Sequence, residues 1–296
     1  MALKLAKTVP LNDGTNFPIF GLGTWESRNQ QEMTNLIRSA LDLGYRHIDT
    51  AIVYDNQKMI GDALKTIFSE GKYKREDLYI VSKIFPFKTW DTEQKIKQTL
   101  EELQIEYLDL FLLHWTFTSP SKTFEINHKP VHVIWAELEQ VQQKGLTKSI
   151  GVSNFNVQSL LDLWSYAKVK PVVNQIELHV FLQQKRLVEF CQKINVHVTA
   201  YSPLARFNEI VQNKVLIELA QKHNSTVSQI LLSFLLSQGI SVIPKTEKVN
   251  RLKENFDSQD IQLSEEEIKA LKDLDTNTRV WQPADLDFFG NIPIFD

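Results

Sequence analysis

From Ile19 to Ile243, short apolar runs alternate with segments whose apolar residues recur every three or four positions, and no other feature narrows the fold as far. The runs are Ile19–Gly23, Tyr45–Asp49, Leu78–Lys83, Leu108–His114, Ser149–Ser153, Val172–Glu177, His197–Tyr201 and Ile240–Ile243, eight candidate strands. The segments between them carry helical stripes: Met33, Leu36, Ile37 and Ala40; Ile96, Leu100 and Leu103; Ile134, Leu138 and Val141; Val157, Leu160, Leu161 and Trp164; Val227, Ile230, Leu231 and Phe234. Strands alternating with helices build a parallel sheet. Eight βα units in a chain of 296 residues fit an α/β fold of the (β/α)8 TIM-barrel kind. A doubly wound sheet would place a glycine-rich phosphate turn after its first strand, and "GLGTW" at Gly21–Trp25 is not G-x-G-x-x-G. Ahead of the first strand, "TVPLNDGTNFPIF" predicts an N-terminal β-hairpin closed at Asn12-Asp13-Gly14. No Pro/Gly/Ser-rich linker or composition break divides the chain, so residues 1–296 read as one domain.

Composition removes several functional classes. Hydrophobic residues make up 43% and charged residues 23%, which are the values of a folded globular protein. A net charge of −3 gives no general attraction to nucleic acid or to an anionic membrane, and no apolar run is long enough for a signal peptide or a bilayer span. Cys191 is the single cysteine and has no internal disulfide partner; set among Leu187, Val188 and Ile194, it reads as helix core. The expectation is a cytoplasmic protein.

In a TIM barrel, chemistry gathers at the C-terminal ends of the strands. Those positions hold Thr24, Trp25, Asp49, Lys83, His114, Ser153, Asn154, Gln175, Glu177, Tyr201 and Lys245, nearly all polar. Each has an ordinary explanation: Asp49 as a helix cap, Lys83 as a solvated charge, His114 as a core histidine, Tyr201 as a strand aromatic. Their convergence on one rim, joined by Tyr54 from the loop after Asp49, is what points to chemistry. The set suits carbonyl reduction. An ammonium at Lys83 would lower the pKa of the Tyr54 phenol, Asp49 would hold Lys83 in place and protonated, and His114 would orient a substrate oxygen. Tyr54 would then donate the proton. No metal-ligand spacing accompanies these residues.

Seven motifs, in order along the chain, resemble the aldo-keto reductase family: "GYRHIDTAIVYDNQKMIG", "LYIVSKIF", "YLDLFLLHW", "KSIGVSNFN", "VVNQIELH", "VTAYSPL" and "VIPKT…NRLKEN". The ending "PADLDFFGNIPIF" is similar to the aldose and xylose reductase branch. The resemblance implies a catalytic tetrad of Asp49, Tyr54, Lys83 and His114, and a nicotinamide cofactor extended across the barrel mouth. Tyr201 would stack on the nicotinamide, with Ser153, Asn154 and Gln175 on its carboxamide, although Ser153 and Asn154 also suit a helix cap. Thr24 and Trp25 would lie near cofactor and pocket, and Ser202 and Leu204 near the diphosphate. Lys245, Thr246 and Arg251 would cage the 2′-phosphate, unless the two cations are merely solvated, and Glu254 and Asn255 would flank adenine and ribose. NADPH is therefore the expected donor, with NADH as a possible secondary donor through Glu254.

Two positions depart from the family pattern: Thr116 replaces the proline that often follows "HW", and Phe85 stands where the aldose reductase branch commonly has tryptophan. Trp25, Phe85 and Trp115, with Tyr54 and His114, would line an apolar substrate funnel. Only Ala205 to Glu209 separates "YSPL" from a helix expected at Ile210, which implies a more open cofactor site than in relatives with a long belt there. Specificity is expected from Thr116–Pro130 and from "RVWQPADLDFFGNIPIFD", the latter a C-terminal loop over the barrel mouth. The partner is a small carbonyl compound, an aldose or another aldehyde or ketone, and the chain a monomer or weak homodimer. Two other readings fit the same barrel. One is a nicotinamide-nucleotide sensor or interaction protein, like potassium-channel β-subunits. The other is a Schiff-base lyase with Lys83 as nucleophile, against which the Asp49 carboxylate argues.

Overall fold

The computed structural model describes residues 4–27, 29–118, 127–205 and 212–281. A short hairpin comes first: β1 (Thr8–Pro10) pairs antiparallel with β2 (Asn16–Pro18). Its turn is held by Asp13, whose Oδ1 accepts from the Thr15 amide at 3.0 Å and its hydroxyl at 2.7 Å. Eight parallel strands follow: β3 (Gly21–Gly23), β4 (His47–Asp49), β5 (Tyr79–Ile84), β6 (Leu108–Leu113), β7 (Thr147–Ser153), β8 (Val173–Glu177), β9 (His197–Tyr201) and β10 (Ser241–Val242). Each pairs with the next in sequence.

The two end strands meet through parallel bridges between Phe20 and Val242 and between Gly23 and Lys245, which closes the sheet into a barrel. Closure depends on a glycine, because a Cβ on Gly23 would stand 2.7 Å from the Ile243 carbonyl oxygen. Both seam strands are shorter than the sequence runs suggest, although the Ile19 carbonyl accepts from the Val242 amide at 2.9 Å and the Ile243 amide donates to the Ala200 carbonyl at 3.3 Å. β4 also starts two residues later than expected. Tyr45 is still occupied in the turn that ends the preceding helix, with its amide bonded to the Ala40 carbonyl at 3.0 Å.

Helices α1 (Gln30–Leu43), α2 (Gln57–Ser69), α3 (Thr92–Leu103), α4 (Val131–Gln143), α5 (Val157–Tyr166) and α6 (Lys185–Lys193) alternate with the strands. They are followed by α7 (Lys214–Lys222), α8 (Val227–Ser237), α9 (Val249–Asp257) and α10 (Glu265–Lys272). Side-chain caps start several of them: Asn29 for α1, Asp91 for α3, Asn156 for α5, and Thr226 with Gln229 as a capping box for α8. The stripe expected on α5 is partly misplaced, because Leu161 is 54% exposed while Leu160 and Leu163 are buried. The expected stripes on α1, α3 and α4 are buried, as is Cys191 on α6, while on α8 Ile230, Leu231 and Phe234 are buried and Val227 is half-buried.

Among the described residues, apolar side chains fill three regions. One lies between barrel and helices; a second is a plug inside the barrel built from Leu11, Phe17, Tyr79, Val81, Leu110, Leu112, Val172 and Val173; a third joins Phe85, Trp115 and Trp281. Phe17 of the hairpin meets the rings of His47, Tyr79 and His197, with centroids 4.9, 5.0 and 5.4 Å away. Those three residues begin β4, β5 and β9, so the hairpin seals the N-terminal end of the barrel and the C-terminal end is the mouth. Of the expected C-terminal loop, residues 279–296, all but 279–281 lie outside the described residues, as do residues 119–126 and the helix start expected at Ile210. The helix described after that gap begins at Lys214. No helix among the described residues is long and apolar enough to cross a membrane.

Candidate active site

The last residue of β4 is Asp49, and the chain turns back over it in a single 3-10 turn, Ile52–Tyr54. A second residue type fixes that turn: the buried Asn56 accepts from the Thr50 hydroxyl at 2.8 Å and donates to the Thr24 carbonyl at 2.8 Å. Thr24 in turn donates its hydroxyl to the Asp49 carbonyl at 2.8 Å. Asp49 therefore caps no helix; the loop is tied down so that Tyr54 faces the strand ends.

Lys83, one residue from the end of β5 and fully buried, is the hub. Its Nζ donates to Asp49 Oδ1 at 2.5 Å, to the Thr50 carbonyl at 2.9 Å and to the Tyr54 hydroxyl at 3.2 Å. Those three acceptors use all of the ammonium's hydrogens. Asp49 Oδ2 accepts from Gln175 Nε2 at 2.8 Å, so β8 also supports the pair. His114 follows β6, its ring centroid 5.9 Å from that of Tyr54 and 4.8 Å from that of Phe85. His114 Nδ1 is buried without a hydrogen-bond partner among the described residues.

Burial dominates the electrostatics. It raises the Tyr54 phenol well above its ordinary value, and the Asp49 carboxylate adds to the effect. The lowering expected from the Lys83 ammonium is thus outweighed, and Tyr54 holds its proton firmly in this structure. Lys83 is pushed down by burial against the opposing pull of Asp49. His114 falls well below the usual histidine value, first by burial and then by the Lys83 charge, so it is a neutral imidazole. The site is a phenol that retains its proton, on an ammonium base, beside a neutral histidine. It can present an O–H and an N–H to one substrate oxygen.

A cavity of about 780 Å³ opens over this floor. Its wall includes Thr24, Trp25, Asp49, Tyr54, Phe85, His114, Trp115, Asn154, Gln175, Tyr201, Ser202, Leu204 and Lys245, all picked from the sequence. Trp25 meets the Tyr54 ring edge-on, with centroids 5.1 Å apart. Ser153 and Asn154 do not cap α5, which Asn156 does. Instead the Tyr201 hydroxyl donates to Asn154 Oδ1 at 2.8 Å, Asn154 Nδ2 donates to the His114 carbonyl at 3.0 Å, and Ser153 donates to the Gln175 carbonyl at 2.8 Å. Ser153 is buried just behind the wall.

The residues expected around the phosphate each have contacts of their own. Lys245 pairs with Glu247 at 3.0 Å, the Thr246 hydroxyl accepts from the Lys248 amide at 3.0 Å, and Glu254 accepts from Thr226 at 2.8 Å. Arg251 is exposed in the first turn of α9 and its guanidinium has no acidic partner among the described residues; Asn255 is buried one turn further on. The aromatic and amide groups of the cavity wall suit a flat ligand.

Trp281, in the C-terminal stretch expected to shape specificity, lines the cavity and lies on Trp115, with centroids 5.2 Å apart. Glu26, Val53, Pro203, Ile243 and Pro244, which with Gly23 complete the wall, were not among the expected site residues. Asn56 sits in the "GYRHIDTAIVYDNQKMIG" motif, where its neighbours could have marked it. Trp281 carried no periodic signal.

The family model described as Aldo/keto reductase family matches residues 19–276. Aldose reductase B of Dictyostelium discoideum is 40% identical, covering 98% of each chain. Aldose reductase of Encephalitozoon cuniculi is 39% identical, covering 94% of this chain and 97% of its own. Among solved structures, a Bombyx mori aldo-keto reductase in complex with NADP superposes with a TM-score of 0.89 at 32% identity, covering 95% of this chain and 97% of its own. A second silkworm enzyme, complexed with NADPH, gives 0.88 at 33% identity, covering 95% of this chain and 91% of that one.

Proposed function

The chain belongs to the aldo/keto reductase family, and from that premise we propose that it reduces aldehydes and ketones to alcohols with NADPH, Tyr54 supplying the proton. The observation that carries this reading is the Tyr54 hydroxyl on the cavity wall, 3.2 Å from the Lys83 ammonium, with its proton retained by burial.

When bound, NADPH supplies a hydride to the carbonyl carbon. The protein's part is to hold the carbonyl oxygen and to deliver a proton to it. Neutral His114 donates an N–H to that oxygen and fixes its direction. As negative charge builds there, the oxygen becomes a better base and takes the Tyr54 proton. The tyrosinate left behind is stabilised by Lys83, whose hydrogen bond to the phenol oxygen then becomes an ion pair. Asp49 keeps Lys83 aligned and balances its charge.

Gln175 Nε2 is engaged by Asp49, which leaves its Oε1 to accept from a nicotinamide carboxamide. Tyr201, on the cavity wall, offers a ring face for stacking. Arg251, with Lys245 and Thr246, favours a 2′-phosphate and therefore NADPH over NADH; Glu254 and Asn255 are placed on the ribose and adenine side of this reading. Two structural relatives carry NADP or NADPH in their complexes, which supports the same choice. Phe85, Trp115, Trp25 and Trp281 make the substrate side apolar, which suits aromatic and aliphatic aldehydes.

The test is deuterium transfer. Incubated with an aromatic aldehyde and NADPH deuterated at the transferable position, the protein should yield an alcohol bearing that deuterium on the former carbonyl carbon. Nucleotide binding without label transfer to any aldose or aldehyde would overturn the proposal.

A further inference from the structure

A buried cluster at the end of β8, absent from the cavity wall, has no part in the mechanism above. Glu177 is fully buried. Its Oε1 accepts from the backbone amides of Val280 at 2.8 Å and Trp281 at 3.4 Å, and lies 3.1 Å from His179 Nε2. Arg279 Nη1 is 3.8 Å from Glu177 Oε2, and Arg279 Nη2 donates to Gln184 Oε1 at 3.3 Å. Gln184 closes the ring by donating to the Glu177 carbonyl at 2.6 Å.

The loop between β8 and α6 grips the same segment further back. Phe181's carbonyl accepts from the amides of Thr276 and Thr278 at 3.2 and 3.0 Å, and Gln183 Nε2 donates to the last carbonyls of α10. Burying a carboxylate is costly unless it is hydrogen-bonded, and here its partners are the two amides that precede and carry the Trp281 side chain. That side chain is 8% exposed and forms the cavity wall against Trp115.

The geometry points to Glu177 as a positioning residue for substrate choice: by fixing the Val280 and Trp281 amides it sets the aromatic wall that substrates meet. This rests on the carbonyl reduction proposed above, but the anchoring can be read without turnover. In Glu177→Ala, hydrogen exchange at residues 276–281 should accelerate while β8 itself stays protected. KM for bulky aromatic aldehydes should rise about tenfold, with KM for a small aldehyde, kcat and NADPH affinity each within about twofold.

Trp281→Ala should reproduce the KM pattern, and the double variant should add little to it. Glu177→Gln, which keeps an acceptor oxygen for the two amides, should largely restore it. Should Glu177→Ala fail to fold, Trp281→Ala and Glu177→Gln carry the same comparison. Unchanged exchange at residues 276–281, an equal loss for small and bulky aldehydes, or additive effects of the two alanine variants would each overturn the assignment. Absence of turnover in the wild type would instead count against the reductase reading, leaving the exchange result to decide the anchoring.

Discussion

Replacing Lys83 with methionine removes the cation bonded to Asp49, and the cost can be worked from the pair's surroundings. Lysine and aspartate are 0% and 2% exposed and 2.5 Å apart. At an effective dielectric near 20, unit charges at that distance attract by roughly 6–7 kcal/mol, a gain set against several kcal/mol of desolvation for each ion. The whole pair is therefore worth little net, but half of it is expensive to keep. Lys83→Met leaves Asp49 with Gln175 as its remaining side-chain partner, so it should lose about 3–5 kcal/mol of unfolding free energy. Asp49→Asn leaves Lys83 as an uncompensated buried ammonium and should lose a similar amount, about 3–5 kcal/mol. The double variant carries neither charge, so its loss should fall short of the sum by about 3 kcal/mol or more. Urea unfolding followed by circular dichroism at neutral pH gives all four corners of the cycle. Single losses that add to within about 0.5 kcal/mol would refute the picture of a dry, mutually dependent pair.

Burial holds both His47 and His197 down to about 4, so below neutrality the unfolded chain binds more protons than the folded one and stability must rise with pH between roughly 4 and 6.5. Unfolding at pH 5 rather than 7 should show a loss of about 2 kcal/mol per histidine, and a flat profile would contradict their neutral burial. Gly61→Ala should destabilise despite a helix-propensity gain of about 1 kcal/mol, because the new Cβ would stand 2.1 Å from the Glu102 carbonyl oxygen; a thermal melt above wild type would show that α2 and α3 pack otherwise. Arg251→Ala should weaken NADPH binding about tenfold or more and leave NADH nearly unchanged, read by fluorescence titration; equal losses for both nucleotides would remove Arg251 from the 2′-phosphate.

Strand ends were legible because barrel topology converts a one-dimensional pattern into a rim. Asp49, His114 and Tyr201 needed only the positions of their strands, and the five-residue step to Tyr54 matched a single 3-10 turn. What stayed hidden depends on three-dimensional environment. The direction of the Tyr54 shift reflects how deeply the floor is buried, which no spacing encodes. Leu161 and Leu163 differ by two positions on a ten-residue helix, too short for a stripe to select the buried face of α5. Glu177 was noticed at its strand end, but the amides it binds are more than a hundred residues later in the chain, so its link to the C-terminal stretch that carries Trp281 was not readable from local pattern.

The central claim is that Tyr54 delivers the proton, and the rate of a single turnover in Tyr54→Phe tests it most directly. With saturating NADPH and an aromatic aldehyde, the variant should lose about 10²–10⁴-fold in rate while binding NADPH as tightly as wild type. A variant that oxidises NADPH as fast as wild type would show that the proton comes from elsewhere.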